Sequence, residues 1–359
     1  MNYFKEKSPV TSDHRPLTPD DPASIAMIGC GGISNSHMGG IALHPELNVI
    51  AAADIDEQRL KEWTEKYDVP SRFTDWKEMV REKQPELVVF ATWPAQHHEQ
   101  IIEAAGLGVP AILCEKSFAL TYAEGKAMVA ACRESGTIAM EAFMYRHAPR
   151  TIAFIERVNN GEFGKVRTAN ASFSSLHYNP EGDNWRNRKE TGGGIVYDFT
   201  CYTVNILRGI MGRAPERVVA AGETCPMRDI IITMHGLLDF GDGVACRIES
   251  SQKSNFRMEA EVVLEKGVVT LPHFLMTKDI ETGALPRLEG TGGWFNSHTV
   301  TEVPVAFGDP YALQLLNLAR QLREGEPSGM PLDETLDNLR TIDALVRSYE
   351  SGGWESVEN

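Results

Sequence analysis

The sequence predicts an α/β fold, with a doubly wound parallel sheet in the N-terminal part and then an α+β domain built on a mostly antiparallel sheet. Two patterns carry this. Up to about residue 150, short wholly apolar runs alternate with amphipathic stretches, as in a parallel sheet covered on both faces. Beyond it, runs of alternating character are broken by Gly-Asp-Gly and Glu-Lys-Gly, the punctuation of antiparallel hairpins. A length of 359 residues with 42% hydrophobic content suits two domains with a core each.

Residues 1–22 are polar, carry Pro9, Pro16, Pro19 and Pro22, and show no apolar periodicity. They are expected to form an arm outside the first core. The first domain, 23–147, takes its strands from "SIAMIG" (24–29), "LNVIAAAD" (47–54), "ELVVFAT" (86–92) and "AILC" (111–114). Helical patterns such as "EQRLKEWTEKY" and "HEQIIEAAGL" lie between them. The second domain, 148–359, opens with the helix "TIAFIERVNN" and continues into strands such as "KVRTANASFSS", "DIIITMHGLLDF" and "RMEAEVVLEKGVVTLP". A long helix is predicted from about Gly194 to Met211, and two more start near Tyr311 and Leu332.

The formal net charge of -15 is spread along the chain without a Lys/Arg run, so neither a nucleic-acid backbone nor an anionic membrane is an expected partner. No apolar run approaches the roughly 18 residues of a spanning helix. "MNYFKEKSPVTSDHRPL" has no apolar signal core, so the expected location is the cytoplasm. The six cysteines lack any C-x-x-C pair and are expected to be reduced and structural, with no metal site.

"IAMIGCGGIS" contains Gly29-x-Gly31-x-x-Ser34 between a strand and a helical stretch. Small residues there let the backbone approach a pyrophosphate, whose charge sits on the helix N-terminus. Gly29, Cys30, Gly31, Gly32, Ile33 and Ser34 are therefore candidate dinucleotide contacts. Asp54 ends the second strand, where a carboxylate accepts from the adenosine ribose hydroxyls and repels a 2′-phosphate. NAD is favoured over NADP, although Arg59 is close enough in sequence to offer a phosphate a partner. "AILC" delivers Glu115 and Lys116 to a strand C-terminus, the position of either a structural ion pair or a ligand site.

The glycine loop, "AAADID", "TWPAQHHEQ", "EKS", "MYRHAPR", "GEFGKVR", "WRNRKETGGGIVYDFTCY" and "VVLEKGVV" occur in an order that resembles the Gfo/Idh/MocA oxidoreductase family of glucose-fructose oxidoreductase and inositol dehydrogenase. The resemblance implies an N-terminal Rossmann domain and a C-terminal domain whose open sheet makes a homodimer or homotetramer. It also implies NAD(P) and a sugar or polyol substrate. Glu115 and Lys116 match the family's Glu-Lys-Pro, with Ser117 in place of proline. Thr92 and Trp93 fall in the Thr-Pro-x-x-x-His stretch, which the resemblance implies lines the cofactor together with its histidine. Counting forward from Thr92 makes His97 its histidine, whereas counting back from Glu115 makes it His98, and the forward count is followed. Asp198 matches the family Asp, Tyr202 stands where inositol dehydrogenase-like members carry His, and Thr200 replaces a usual Gly.

Hydride transfer from an alcohol needs a base for the hydroxyl proton. Asp198 and Tyr202, four apart on a predicted helix, share one face. A free tyrosine ionises near pH 10, so Tyr202 as base needs a shift of roughly three units, about 4 kcal/mol, for which an adjacent ammonium is the usual means. Lys116 is the ammonium on offer. The expected roles are proton exchange for Tyr202, polarisation of the substrate oxygen for Lys116, and positioning for Asp198. Glu115 is expected to hold the lysine or the nicotinamide ribose. Arg146, Trp185 and Arg186 are candidate substrate contacts, against an interdomain salt bridge for Arg146. The leading function is an NAD-dependent sugar or polyol oxidoreductase. The alternatives are an NAD-dependent glycoside hydrolase working by transient oxidation, and a non-catalytic NAD and sugar sensor.

Overall fold

The computed structural model describes residues 15–275, 288–290, 300–301, 308–327 and 329–357. Residues 1–14 of the expected arm lie outside them. The chain divides into two units, Asn2–Met144 with Asp309–Thr335, and Tyr145–Gly308 with Leu336–Asn359.

The first unit is built on β1 (Ala23–Ile28), β2 (Leu47–Ala53), β3 (Arg72–Phe73), β4 (Leu87–Phe90), β5 (Ala111–Cys114) and β6 (Ile138–Glu141). They form a parallel sheet in the order β3-β2-β1-β4-β5-β6. Every residue of β4 and β5 is buried, which explains why these strands are apolar on both faces; each such Leu, Val, Ile or Phe contributes about 1.5–3 kcal/mol. The crossovers are α1 (Gly32–Ile41), α2 (Glu57–Tyr67), α3 (Trp76–Lys83), α4 (Pro94–Gly106) and α5 (Tyr122–Ser135). The side chains of Asp56, Asp75 and Thr121 cap α2, α3 and α5, each accepting a first-turn N–H left without a partner. Strand order reverses between β1 and β4, so the loops after these strands diverge and open a crevice. β3, with two residues, was too short to stand out in the sequence, and β6, ending in Glu141, lacks the wholly apolar character of β4 and β5.

The second unit begins with α6 (Pro149–Asn159) and β7 (Val166–Ser174). A π-helical turn, Val196–Thr200, then runs directly into α7 (Cys201–Met211). The predicted helix is therefore present, with its first turn widened. β8 (Arg217–Cys225), β9 (Ile230–Asp239), β10 (Ala245–Ser251), β11 (Arg257–Leu264), β12 (Gly267–Pro272), β13 (Leu288–Gly290), β14 (Val300–Thr301) and β15 (Glu355–Ser356) complete the sheet with β7. Its order is β14-β13-β12-β11-β7-β10-β9-β8-β15, antiparallel throughout except for the parallel pair β7–β10. Ala169, Ala171, Ile232, Met234, Ile248 and Ala260 face the core. α7 contacts β7, β10 and β11. The alternate residues, such as Asn170, His235, Arg247 and Glu259, make a polar opposite face.

Two helices close the chain, α8 (Pro310–Glu324) and α9 (Leu332–Ser351). A second domain continuous from 148 to 359 was expected, but α8 belongs with the first sheet, where it packs on α1, β5 and β6. The physical reason is side-chain complementarity. Arg323 is buried and donates from Nε and Nη2 to the two carboxylate oxygens of Glu86, both at 2.8 Å, and to the carbonyls of Asp21 and Pro22. The end of the proline-dotted lead-in is thereby stapled to this unit as well.

Candidate active site

The glycine loop is shaped by one steric requirement. Gly29 leaves β1 at φ 92°, and a Cβ there would lie 2.7 Å from the Ala91 carbonyl oxygen. Only glycine fits. Gly31 is the N-cap of α1, with no side-chain cap and no acidic residue in the first turn. A Cβ on Gly31 or Gly32 would meet nothing within 4 Å. The space beside the first turn of α1 is therefore open, at the positive end of the helix dipole. Gly31, Gly32 and Ile33 remain partly exposed, whereas Ser34 is fully buried and donates its hydroxyl to Gly31 O at 2.7 Å. The Ser34 hydroxyl thus tightens the turn rather than facing the crevice.

Asp54 is the organising charge of this loop. Its Oδ2 accepts from Cys30 N at 2.8 Å and its Oδ1 from Asp56 N at 2.9 Å. Cys30 contributes its backbone, while its thiol is buried and pushed up to about 12 by burial and by the Asp54 charge. Arg59 reaches Asp54 Oδ1 at 3.4 Å and Asp56 Oδ2 at 3.0 Å, so two carboxylates engage it. A cleft of about 140 Å³ is lined by Gly31, Asp54, Arg59, Trp76, Thr92 and Trp93, with Gln96 and Gln100 beside them. Trp76, not singled out from the sequence, stands edge-on to Phe90 with ring centroids 5.4 Å apart. An uncapped helix end, a fixed carboxylate and aromatic walls together fit the pyrophosphate, ribose and adenine of a dinucleotide.

His97 is placed differently from the expectation that it lines the cofactor. It is fully buried, with Nδ1 2.9 Å from Ser117 O and Nε2 3.2 Å from Thr92 O. Burial holds its pKa below the usual value, against the opposing pull of the two carbonyls. The reason is helical phase. Gln96 and Gln100 face the cleft from α4, while His97, Ile101 and Ala104 face the sheet. His97 braces the exit of β4 against the turn that follows β5. On that turn Glu115 is buried, with Oε1 2.7 Å from His37 Nε2 and Oε2 accepting from Lys116 N at 3.3 Å. Lys116 is partly exposed, and the Lys116–Ser117 peptide bond is cis.

In the second unit the π-helical turn carries Asp198, which is buried and pairs with Arg186, Nε to Oδ2 at 2.6 Å and Nη2 to Oδ1 at 3.4 Å. A widened turn of this kind re-aims side chains and recurs at functional sites. Arg186 also lies over the Trp185 ring, 4.7 Å from its centroid. Gly193 makes this possible, because a Cβ there would lie within 2.8 Å of the carbonyls of Trp185, Arg186 and Arg188. The loop before the π turn is thus clamped onto it, and Arg186, expected to contact substrate, is committed to Asp198. Tyr202 is buried one turn on, its ring 6.0 Å from Tyr145 and 5.9 Å from Phe173. Asn205 Oδ1 accepts from Tyr145 OH at 2.5 Å and from Arg146 Nη1 at 3.3 Å. Arg146, another of the three expected substrate contacts, therefore supports α7. Thr200, in the family's glycine position, is fully buried.

All six cysteines are buried and outside any disulfide. Among the described residues no cluster of three His, Cys, Asp or Glu is arranged to hold a metal. None of their helices is long and apolar enough to cross a membrane.

Comparison with known proteins places these features in a family. Residues 23–143 match the profile of an oxidoreductase family with an NAD-binding Rossmann fold, and residues 152–270 match the GFO/IDH/MocA C-terminal domain. D-apiose dehydrogenase of Paraburkholderia graminis is 30% identical over 346 residues, 91% of this chain and 86% of its own. D-xylose 1-dehydrogenase (NADP(+)) 2 of Haloferax volcanii is 27% identical over 342 residues, covering 91% and 98%. The structure of aldose-aldose oxidoreductase from Caulobacter crescentus superposes with a TM-score of 0.82 at 23% identity, covering 93% of this chain and 99% of the other, a likeness of fold. With both domain profiles matched in order and a relative aligned along most of its length, the chain belongs to the Gfo/Idh/MocA family of NAD(P)-dependent oxidoreductases.

Proposed function

We propose that this protein transfers hydride between NAD and a secondary hydroxyl, or the corresponding ketone, of a sugar or polyol. The observation that carries the reading is the uncapped α1 N-terminus beside the doubly anchored Asp54 carboxylate, in a chain whose relatives include D-xylose and D-apiose dehydrogenases. Bound nicotinamide supplies the hydride acceptor. The protein's own residues supply the rest. Tyr202 exchanges the hydroxyl proton, Lys116 brings positive charge to the substrate oxygen, and Asp198, paired with Arg186, positions the reacting group. NAD is preferred over NADP because a 2′-phosphate meets the Asp54 charge while Arg59 is engaged by two carboxylates. Six cysteines outside any disulfide support a cytoplasmic location. The polar open face of the second sheet supports self-association as a dimer or tetramer, which light scattering on the purified protein tests.

The test of the reaction is a panel of pentoses, hexoses, polyols, sugar acids and glycosides with NAD and NADP, following nicotinamide absorbance and released products. Net reduction of NAD with a sugar or polyol is expected. Cleavage of a glycoside without net change in nicotinamide overturns the reading in favour of transient oxidation. Tyr202→Phe and Lys116→Met each lower turnover by about a hundredfold or more while NAD still binds; near-parental rates in either variant refute the assigned role.

A further inference from the structure

The imidazole that holds Glu115 has no part in the chemistry proposed above. We propose that His37 is a positioning residue for the Glu115-Lys116 turn: from α1 it fixes the Glu115 carboxylate, and through it the backbone from which Lys116 projects. This inference rests on the reading that Lys116 takes part in hydride transfer.

The geometry divides the carboxylate between two donors. Glu115 Oε1 lies 2.7 Å from His37 Nε2, and Oε2 accepts the Lys116 amide at 3.3 Å. The pair is sealed from water, with His37 at 0% and Glu115 at 5% exposure. A short bond to a carboxyl oxygen in such buried surroundings is strong and directional. His37 Nδ1 is buried without a hydrogen-bond partner, so a second ring proton there would be an unsatisfied donor. With Nδ1 unpartnered, the geometry assigns Nε2 as the ring nitrogen that donates to Glu115.

A third element fixes the ring. Tyr311 of α8 stands edge-on to His37 with centroids 5.3 Å apart. Burial, followed by the Glu115 charge, pushes the Tyr311 phenol above its usual range against a bond with Ser36, so Tyr311 is a neutral wall at working pH. α1, the β5 exit and α8 thus converge on one carboxylate. The imidazole is thus held between the Tyr311 ring and the Glu115 carboxylate.

Two substitutions separate positioning from packing. His37→Gln keeps an amide N–H at the reach of Nε2, whereas His37→Met keeps comparable volume and removes the donor. His37→Met is expected to lower kcat by about ten- to a hundredfold, with KM and the NAD dissociation constant, measured by titration, each within about threefold of the parent. His37→Gln is expected to restore kcat to within about threefold. Parental kcat in His37→Met, or equal losses in the two variants, overturns the proposal. If His37→Met does not fold, His37→Asn replaces it, since that amide stops short of Glu115. Lys116→Met is assayed in parallel. Its full activity would overturn the Lys116 reading and this inference together, whereas an inactive Lys116→Met beside a fully active His37→Met overturns the inference alone.

Discussion

Gly29→Ala and Gly31→Ala separate what folds the glycine loop from what the loop binds. At Gly29 the backbone is at φ 92°, a region that costs a non-glycine residue about 1–2 kcal/mol. The added Cβ would also lie 2.7 Å from Ala91 O, and relieving that overlap shifts β1 against the β4 exit at about 1–3 kcal/mol. Together these amount to about 2–5 kcal/mol, or roughly 4–20 °C in melting temperature for a unit of this size. At Gly31 the backbone is at φ -84° and a Cβ meets nothing within 4 Å, so the stability cost is limited to replacing a glycine N-cap by alanine, about 1 kcal/mol or less. That Cβ occupies the space through which a pyrophosphate approaches α1, and NAD affinity is expected to fall at least about tenfold, about 1.4 kcal/mol. Thermal melting without cofactor and calorimetric titration with NAD read the two effects separately. An unchanged melting temperature in Gly29→Ala, or parental NAD affinity in Gly31→Ala, refutes the reasoning.

Asp54→Ser removes the carboxylate that accepts Cys30 N and Asp56 N; NAD affinity is expected to fall about tenfold or more, and an unchanged ratio of NAD to NADP affinity would refute its role in selection. Stability should fall on mild acidification through His147, whose imidazole pKa is held down to about 3, against an ordinary 6.5, by burial and then by the Arg146 charge. The unfolded chain takes up a proton that the folded chain refuses, so the contribution of the neutral ring is complete above about pH 6.5 and falls by about 1.4 kcal/mol per pH unit toward the folded value. Melting curves of the parent and His147→Gln across about pH 4–7 should show a shallower acid slope in the variant; equal slopes would refute the assignment.

Much of the first unit was legible because its signals are local. "IAMIGCGGIS", the apolar runs of β1, β2, β4 and β5, and Asp54 at a strand end lie within short windows where period and spacing identify them. The failures share the opposite property. His37 and Glu115 are 78 residues apart, and nothing in "SNSHMGG" marks the histidine as a carboxylate partner. His97 and Gln96 are neighbours in sequence, yet a rotation of about 100° per residue puts one behind the cleft and the other on it. Arg186 looked available because its partner Asp198 is reached only when Gly193 lets the loop fold back on its own carbonyls. The allegiance of α8 was hidden for the same reason, since an amphipathic helix advertises an apolar face but not the sheet it covers.

The sequence by itself determined the alternation of strands and helices, the glycine turn, the carboxylate after β2 and the family to which these belong, because each depends on residues close along the chain. The tertiary structure alone decided which charges are committed. Arg186 is taken by Asp198, Arg146 by α7, and Glu115 by His37. Charge pairing is set by distance in space and by burial, and neither is written in a local pattern until the chain has closed around it.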